Sequence, residues 1–88
     1  MKTVIIVNPA SGRIKHPEQV NWLAEELSRS AFRIRIRETR HRGEATSLSE
    51  RAVGEGSDLV ISMGGDGTLN EVINGIVGSE TRLGIVPT

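Results

Sequence analysis

Two short stretches of the sequence carry residue types suited to holding an anion. The first, Gly64-Gly65-Asp66-Gly67-Thr68, sets three glycines within four residues and runs straight into apolar residues at helical spacing. Glycines let a backbone adopt positive φ and approach a ligand closely. The start of the following helix adds unpaired N–H groups at the positive end of its dipole. Phosphate is the anion that best uses such a site. Asp66 is the odd member, because a carboxylate repels phosphates unless a cation lies between them or it hydrogen-bonds a ligand hydroxyl. A magnesium–nucleotide complex resolves that conflict. The same residues also suit a plain tight turn in which Asp66 or Thr68 caps the helix. The second stretch, Asn8-Pro9-Ala10-Ser11-Gly12-Arg13, offers an amide, a hydroxyl, a flexible backbone and a guanidinium in six positions.

Standard nucleotide motifs fit poorly. No G-x-x-x-x-G-K-[ST] is present, and G-x-G-x-x-G fails because Asn70 stands in the place of the third glycine after Gly65 and Gly67. These absences argue against a Walker-type ATPase and a plain dinucleotide-binding dehydrogenase.

The elements that must position these loops follow from periodicity. Thr3 to Val7 is a continuous β-branched run bounded by Asn8 and Pro9, the pattern of a strand buried on both faces, as in parallel sheets. After Pro17, the residues Val20, Leu23, Ala24 and Leu27 make one helical stripe. Phe32, Ile34 and Ile36 alternate with Arg33, Arg35 and Arg37, which predicts an edge strand with one face wetted by arginines. A second helix is expected from about Gly43 to Ala45, carrying Ala45, Leu48, Ala52 and Val53 on one stripe, with Gly54 and Gly56 as its left-handed cap. Leu59 to Met63 is the third strand. Leu69, Val72, Ile73, Ile76 and Val77 form a third helix that Gly78 can stop, and Leu83 to Val86 is a fourth strand. The order β-α-β-α-β-α-β implies a three-layer α/β/α fold with a mostly parallel sheet and helices on both faces. In such sheets ligands bind beyond the carboxyl ends of the strands, where both anion-suited stretches fall.

Composition bounds the rest. At 88 residues the chain holds one small core. Eleven Lys plus Arg against eleven Asp plus Glu give no global field to gather nucleic acid or an anionic membrane, so a charged ligand must be held locally. With no Cys or Tyr, one Trp and one Phe, there is no disulfide framework, thiolate metal site or aromatic platform for bases. The absence of cysteine is consistent with the cytoplasm. The apolar run at Val4 to Val7 is too short for a signal peptide core or a membrane span.

Several residues also have plainer roles. The arginines at 33, 35, 37, 40 and 42 could attract phosphates or lipid headgroups, but protection of an edge strand accounts for them more simply. His16 and His41 lie in polar loops without a second ligand at metal spacing. Trp22 is opposite its helix's apolar stripe and is expected at the surface. Asp58 precedes a buried strand, at the end of the sheet away from the anion-suited loops.

In order and spacing, Asn8-Pro9-Ala10-Ser11-Gly12, Gly43-Glu44-Ala45, Gly64-Gly65-Asp66-Gly67-Thr68 with Glu71-Val72-Ile73-Asn74-Gly75, and Leu83-Gly84-Ile85-Val86-Pro87 resemble the N-terminal catalytic domain of diacylglycerol kinases. Bacterial lipid kinases and sphingosine kinases are relatives, and the resemblance covers essentially the whole chain. NAD kinases share GGDGT, whereas the E-x-x-N-G continuation favours the lipid enzymes.

The resemblance implies transfer of the ATP γ-phosphate to a lipid hydroxyl such as that of diacylglycerol, with ATP and Mg2+ as cofactors. It places Asn8, Pro9, Ala10, Ser11, Gly12 and Thr39 around the nucleotide, together with Gly64, Gly65, Asp66, Gly67, Thr68, Leu69, Asn70 and Glu71. Asp66 would be the catalytic residue that keeps magnesium–ATP in register, the metal arriving with the nucleotide rather than on a dedicated ligand set. The family continues past the proline with another nucleotide contact and a second, β-rich domain that carries much of the lipid site and a carboxylate base. Residues 1–88 therefore read as the nucleotide-binding domain, inactive alone, with the lipid substrate engaged through an absent C-terminal domain. The expected partners are nucleotide and, peripherally, the inner membrane surface from a cytoplasmic location, with no nucleic acid. An uncovered sheet edge after the last strand would favour homo-oligomers. Two alternatives stay open: a NAD kinase-like nucleotide kinase, and a non-catalytic nucleotide-binding or interaction module.

Overall fold

The computed structural model describes residues 1–10, 18–30 and 32–87. Four strands, β1 (Lys2–Val7), β2 (Arg33–Glu38), β3 (Leu59–Gly64) and β4 (Arg82–Pro87), alternate with three helices, α1 (Glu18–Ser28), α2 (Glu44–Gly54) and α3 (Asp66–Ile76). The strands pair in the order β2-β1-β3-β4, every pair parallel. The two central strands are those with the longest apolar runs, since only a strand with a neighbour on each side and a helix on each face can bury nearly every side chain.

Each face has its own core. Val4, Ile6 and Val60 point toward α2 and α3, where they meet Ala45, Ala52, Val72 and Ile76. Ile5, Val7, Ile61 and Met63 point the other way and meet Val20 of α1, with Leu23, Ala24 and Leu27 around it. This is the three-layer α/β/α arrangement that the helical stripes and strand runs predict. The helices α2 and α3 are in close contact: a Cβ at Gly75 would lie 2.4 Å from the Ser49 Cβ and 2.7 Å from the Thr46 carbonyl oxygen. Only glycine permits that approach. No helix among the described residues is long and apolar enough to cross a membrane.

β2 is an edge strand, with Arg33 and Arg35 exposed and Ile34 and Ile36 half-buried against the α1 core. Trp22 is 62% exposed.

Some expected details differ. Phe32 lies just before β2, and Gly64 is the last residue of β3. Gly54 ends α2 as a helical residue, and of the two glycines expected to cap it only Gly56 takes positive φ, at +80°. The left-handed turn falls at Gly56 and not at Gly54, because the Glu55 and Gly56 amides still reach back to the Arg51 and Val53 carbonyls. None of Gly64, Gly65 and Gly67 adopts the positive φ expected of them.

The topology decides where a ligand can bind. The chain passes from β1 outward to β2, then crosses back over β1 to β3, so the connections after β1 and β3 leave toward opposite faces. A crevice opens between them at the carboxyl ends of the strands.

Candidate functional site

Backbone hydrogen bonds carry the strand pairing one residue past the sheet and gather three loops at the crevice. The Asn8 N–H donates to the Met63 carbonyl at 3.1 Å, and the Thr39 N–H donates to the Val7 carbonyl at 2.8 Å. The Asn8 side chain then joins two loops: its Oδ1 accepts from the Ala10 N–H at 3.0 Å, and its Nδ2 donates to Thr68 Oγ1 at 3.3 Å. The first contact is a local turn of the kind asparagine favours. The second ties the loop after β1 to the first turn of α3.

Gly64 and Gly65 bring the chain from strand to helix in extended geometry. A Cβ on Gly64 would sit 2.9 Å from both Cβ and Oγ1 of Thr68, so this glycine lets the turn fold back tightly. Gly65 is the residue before the helix, at φ −87° and ψ −169°, and no side chain caps the helix start. The capping role considered for Asp66 or Thr68 is therefore not the one observed. Asp66 is exposed at the first helical position, and the Thr68 hydroxyl is turned to Asn8. The first intrahelical bond runs from Leu69 N–H to the Gly65 carbonyl, so the Asp66, Gly67 and Thr68 amides have no intrahelical acceptor. At Gly67 nothing lies within 4 Å of where a Cβ would stand. An uncapped helix start with open space in front of it fits a phosphate group, and the exposed Asp66 carboxylate beside it fits a magnesium ion carried by that phosphate.

Beside Gly67 and Thr68 lies a cavity of about 330 Å³, bounded by Asn8, Ala10 and Thr39 on one side and Gly67, Thr68 and Glu71 on the other; Gly64, Gly65 and Asp66 do not bound it. Arg40, His41 and Arg42 complete its wall. Sequence reasoning grouped those arginines with the edge guards and treated His41 as solvated. The signal is adjacency: Arg40, His41 and Arg42 follow Thr39 directly, and Thr39 is held at the strand end. The His41 Nε2 lies 3.7 Å from Glu44 Oε2.

Glu71 bounds the cavity, and its carboxylate is engaged by backbone amides. Its Oε2 accepts from the Gly43 N–H at 3.1 Å and its Oε1 from the Ala45 N–H at 3.3 Å, while its carbonyl accepts from Thr46 Oγ1 at 2.8 Å. The carboxylate of α3 thus satisfies the start of the preceding helix, α2, where Gly43 at φ +88° carries no cap of its own. Leu69 is half-buried and Asn70 exposed; neither bounds the cavity. Pro9 is exposed beside it, and Ser11 and Gly12 lie outside the described residues. Among the described residues no group of three or more His, Asp or Glu side chains is arranged to hold a metal.

A larger cavity, of about 700 Å³, lies at the opposite end of the sheet between Met1, Asp58 and Arg82. Size alone would favour it. Asp58 is used structurally there: its carboxylate accepts from the Lys2 N–H at 2.8 Å, and its own N–H and carbonyl bond Lys2 and Arg82. No helix start faces that end, so the smaller cavity is the better candidate.

Comparison with known proteins places the sequence and the fold. The chain is 40% identical over 85 residues to a diacylglycerol kinase of Staphylococcus haemolyticus, covering 94% of this chain and 26% of that protein. It is 39% identical to one of Staphylococcus aureus, covering 94% of this chain and 27% of that protein. The crystal structure of a diacylglycerol kinase from Bacillus anthracis superposes with a TM-score of 0.81 at 34% identity, over 98% of this chain and 32% of that one. A phosphate-loop protein studied in solution shares the fold, with a TM-score of 0.71 at 21% identity. The chain thus spans about a quarter to a third of the length of the kinases it matches. The pattern of the diacylglycerol kinase catalytic domain runs through residues 2–88, and the chain belongs to that family.

Proposed function

We propose that this chain forms the ATP-binding part of a lipid kinase, which transfers the γ-phosphoryl group of ATP to the hydroxyl of a lipid such as diacylglycerol. The observation that carries the reading is the meeting of Asn8, Thr39 and the uncapped start of α3 at the crevice between β1 and β3. Phosphoryl transfer depends mostly on positioning and on stabilising charge. The Asp66, Gly67 and Thr68 amides would receive phosphate oxygens, and Arg40 and Arg42 would offset the remaining negative charge from across the cavity. Asp66 would orient the magnesium ion that accompanies ATP, which when bound draws charge from the phosphates. An acceptor hydroxyl must also lose its proton to a base. Glu71, the carboxylate bounding the cavity, is already occupied by two backbone amides. The 88 residues alone are therefore expected to bind nucleotide without phosphorylating lipid.

Titration of the isotope-labelled chain with magnesium–ATP, followed by amide NMR shifts, tests the placement. Shifts are expected at 8–10, 39–43 and 65–71. Shifts centred on Asp58 and on 79–82 would move the site to the other end of the sheet.

A further inference from the structure

The loop between β2 and α2 is tied down by two carboxylates, and the ties leave its arginines free. Thr39 is fixed at the strand end by its bond to the Val7 carbonyl. Beyond it the Glu44 side chain reaches back along the chain. Its Oε1 accepts from the Arg40 N–H at 2.5 Å, and its Oε2 lies 3.7 Å from His41 Nε2. The His41 ring continues the tie, because its Nδ1 donates to the Arg42 carbonyl at 3.0 Å. The Glu44 N–H in turn donates to the His41 carbonyl at 3.2 Å, so the turn is closed in both directions. Glu71 takes the far end of the loop, at the Gly43 and Ala45 amides.

An acid in the first turn of a helix has a plain use, since it complements the positive end of the dipole. Two features give Glu44 a more particular one. Glu71 already serves the start of α2, and the Glu44 carboxylate turns to an amide that precedes the helix. Pairing of Glu44 with Arg40 or Arg42, its neighbours on the loop, would neutralise one wall of the cavity. That pairing does not form. The carboxylates of Glu44 and Glu71 are engaged by backbone amides, and among the described residues the Arg40 and Arg42 guanidiniums have neither a hydrogen bond nor an ion pair. Both arginines bound the cavity together with Gly67 and Thr68, whereas Glu44 does not.

We propose that Glu44 is a positioning residue of the nucleotide site: it holds the Arg40–Arg42 turn in the arrangement that presents both guanidiniums to a polyphosphate, without touching the ligand itself. The inference rests on the nucleotide reading of this cavity. It adds a residue that a search for phosphate-binding groups would pass over, since a carboxylate near bound phosphates repels them. That repulsion separates the two ways Glu44 can act. As a charge alone, its removal would tighten phosphate binding. As a tie on the loop, its removal weakens binding, because only the fraction of chains with the loop in place binds at full strength.

The test is titration of the 88-residue chain and its variants with magnesium–ATP at one ionic strength, followed by amide NMR shifts at 8–10 and 65–71, with a thermal melt of each chain. Glu44→Ala removes the acceptor together with the charge. It should weaken binding about tenfold or more, the weight of one hydrogen bond to a charged group on the competent fraction. Glu44→Gln keeps an oxygen for the Arg40 N–H and should bind within about threefold of the unaltered chain, a neutral acceptor replacing a charged one. Glu50→Ala removes the same charge from an exposed position further along α2 and should bind within about twofold. In a chain that already carries Arg40→Gln and Arg42→Gln, adding Glu44→Ala should change affinity by less than about twofold, because residues that act through one another are not additive. Without ligand, the Arg40 amide should exchange its proton more slowly than the His41 and Arg42 amides. Glu44→Ala should abolish that difference and Glu44→Gln preserve it.

Equal or tighter binding by Glu44→Ala would overturn the proposal, as would a loss of the same size in Glu44→Gln or Glu50→Ala. A full further loss on top of the arginine pair, or an Arg40 amide that exchanges as fast as its neighbours in the unaltered chain, would overturn it too. Should Glu44→Ala fail to fold, Glu44→Ser replaces it, since serine suits a helix start and cannot reach the Arg40 amide. Shifts in the unaltered chain with the order of the variants reversed remove the positioning role alone. An unaltered chain without magnesium–ATP shifts removes the nucleotide reading. Inorganic tripolyphosphate then carries the same comparison, and a chain that binds neither overturns the positioning role as well.

Discussion

Asn8 and Thr68, sixty positions apart, meet through an Nδ2 to Oγ1 hydrogen bond of 3.3 Å that holds the loop after β1 against the start of α3. The bond sits at the carboxyl ends of the two central strands, with the Asn8 Oδ1 turned back to the Ala10 N–H. One side chain therefore shapes both walls of the cavity. Asn8→Asp keeps the acceptor for Ala10, removes the donor to Thr68 and adds negative charge where phosphate is expected. Nucleotide affinity should fall about tenfold or more while the unfolding free energy changes by about 1 kcal/mol or less, since one part-exposed hydrogen bond is lost. Calorimetric titration beside thermal melting measures both; an affinity equal to that of the unaltered chain would place the nucleotide elsewhere.

Asp66→Asn separates chemistry from structure. The residue is exposed and makes no helix cap, so little stability depends on its charge. In a complete enzyme containing this segment, turnover should drop by orders of magnitude with the melting temperature nearly unchanged. Chelating magnesium should reproduce the loss in the unaltered enzyme. A variant that retains activity and melts early would show Asp66 to be structural.

Two glycines are expected to behave oppositely when replaced by alanine. At Gly75 the new methyl would collide with Ser49 and the Thr46 carbonyl, so destabilisation of about 1–3 kcal/mol or more follows from overpacking the α2–α3 contact. At Gly67 the methyl enters open space and alanine favours helix, so stability should hold or rise by up to about 1 kcal/mol. Nucleotide binding should nevertheless weaken for Gly67→Ala, because that open space is where phosphate is expected. Denaturant melts with and without magnesium–ATP report both effects, and a Gly67→Ala chain that binds as before argues against the phosphate position.

Glu71→Ala removes the acceptor for the Gly43 and Ala45 amides and leaves the start of α2 uncapped. Loss of a helix cap costs about 0.5–2 kcal/mol. Glu71→Gln, which keeps an acceptor, should recover most of it. If both variants melt alike and lose only nucleotide affinity, Glu71 contacts the ligand directly.

Much of this architecture follows from local pattern. The β-branched run of β1 and the largely apolar run of β3 require burial on both faces, the Ile–Arg alternation of β2 requires an edge, and the stripes of α1 to α3 require a sheet to cover. These are one-dimensional consequences of side-chain geometry at periods of 2 and 3.6, so the sequence by itself determined the element order, the parallel sheet and the end of it that carries the anion-suited loops. Chemical composition likewise singled out Asn8 and the Gly64–Thr68 run. What the tertiary structure decided are relations between residues far apart in the chain. Glu71 caps a helix that begins 27 residues before it, Gly75 is required by a neighbour on another helix, and Gly64 before α3 serves close approach instead of positive φ. Arg40, His41 and Arg42 join the cavity while Arg33, Arg35 and Arg37 face away from it, although all six lie in one run of sequence. Strand pairing ends between the two groups, and that is set by where β1 ends: the Thr39 N–H takes the last available carbonyl, Val7, and the chain beyond it turns across the crevice.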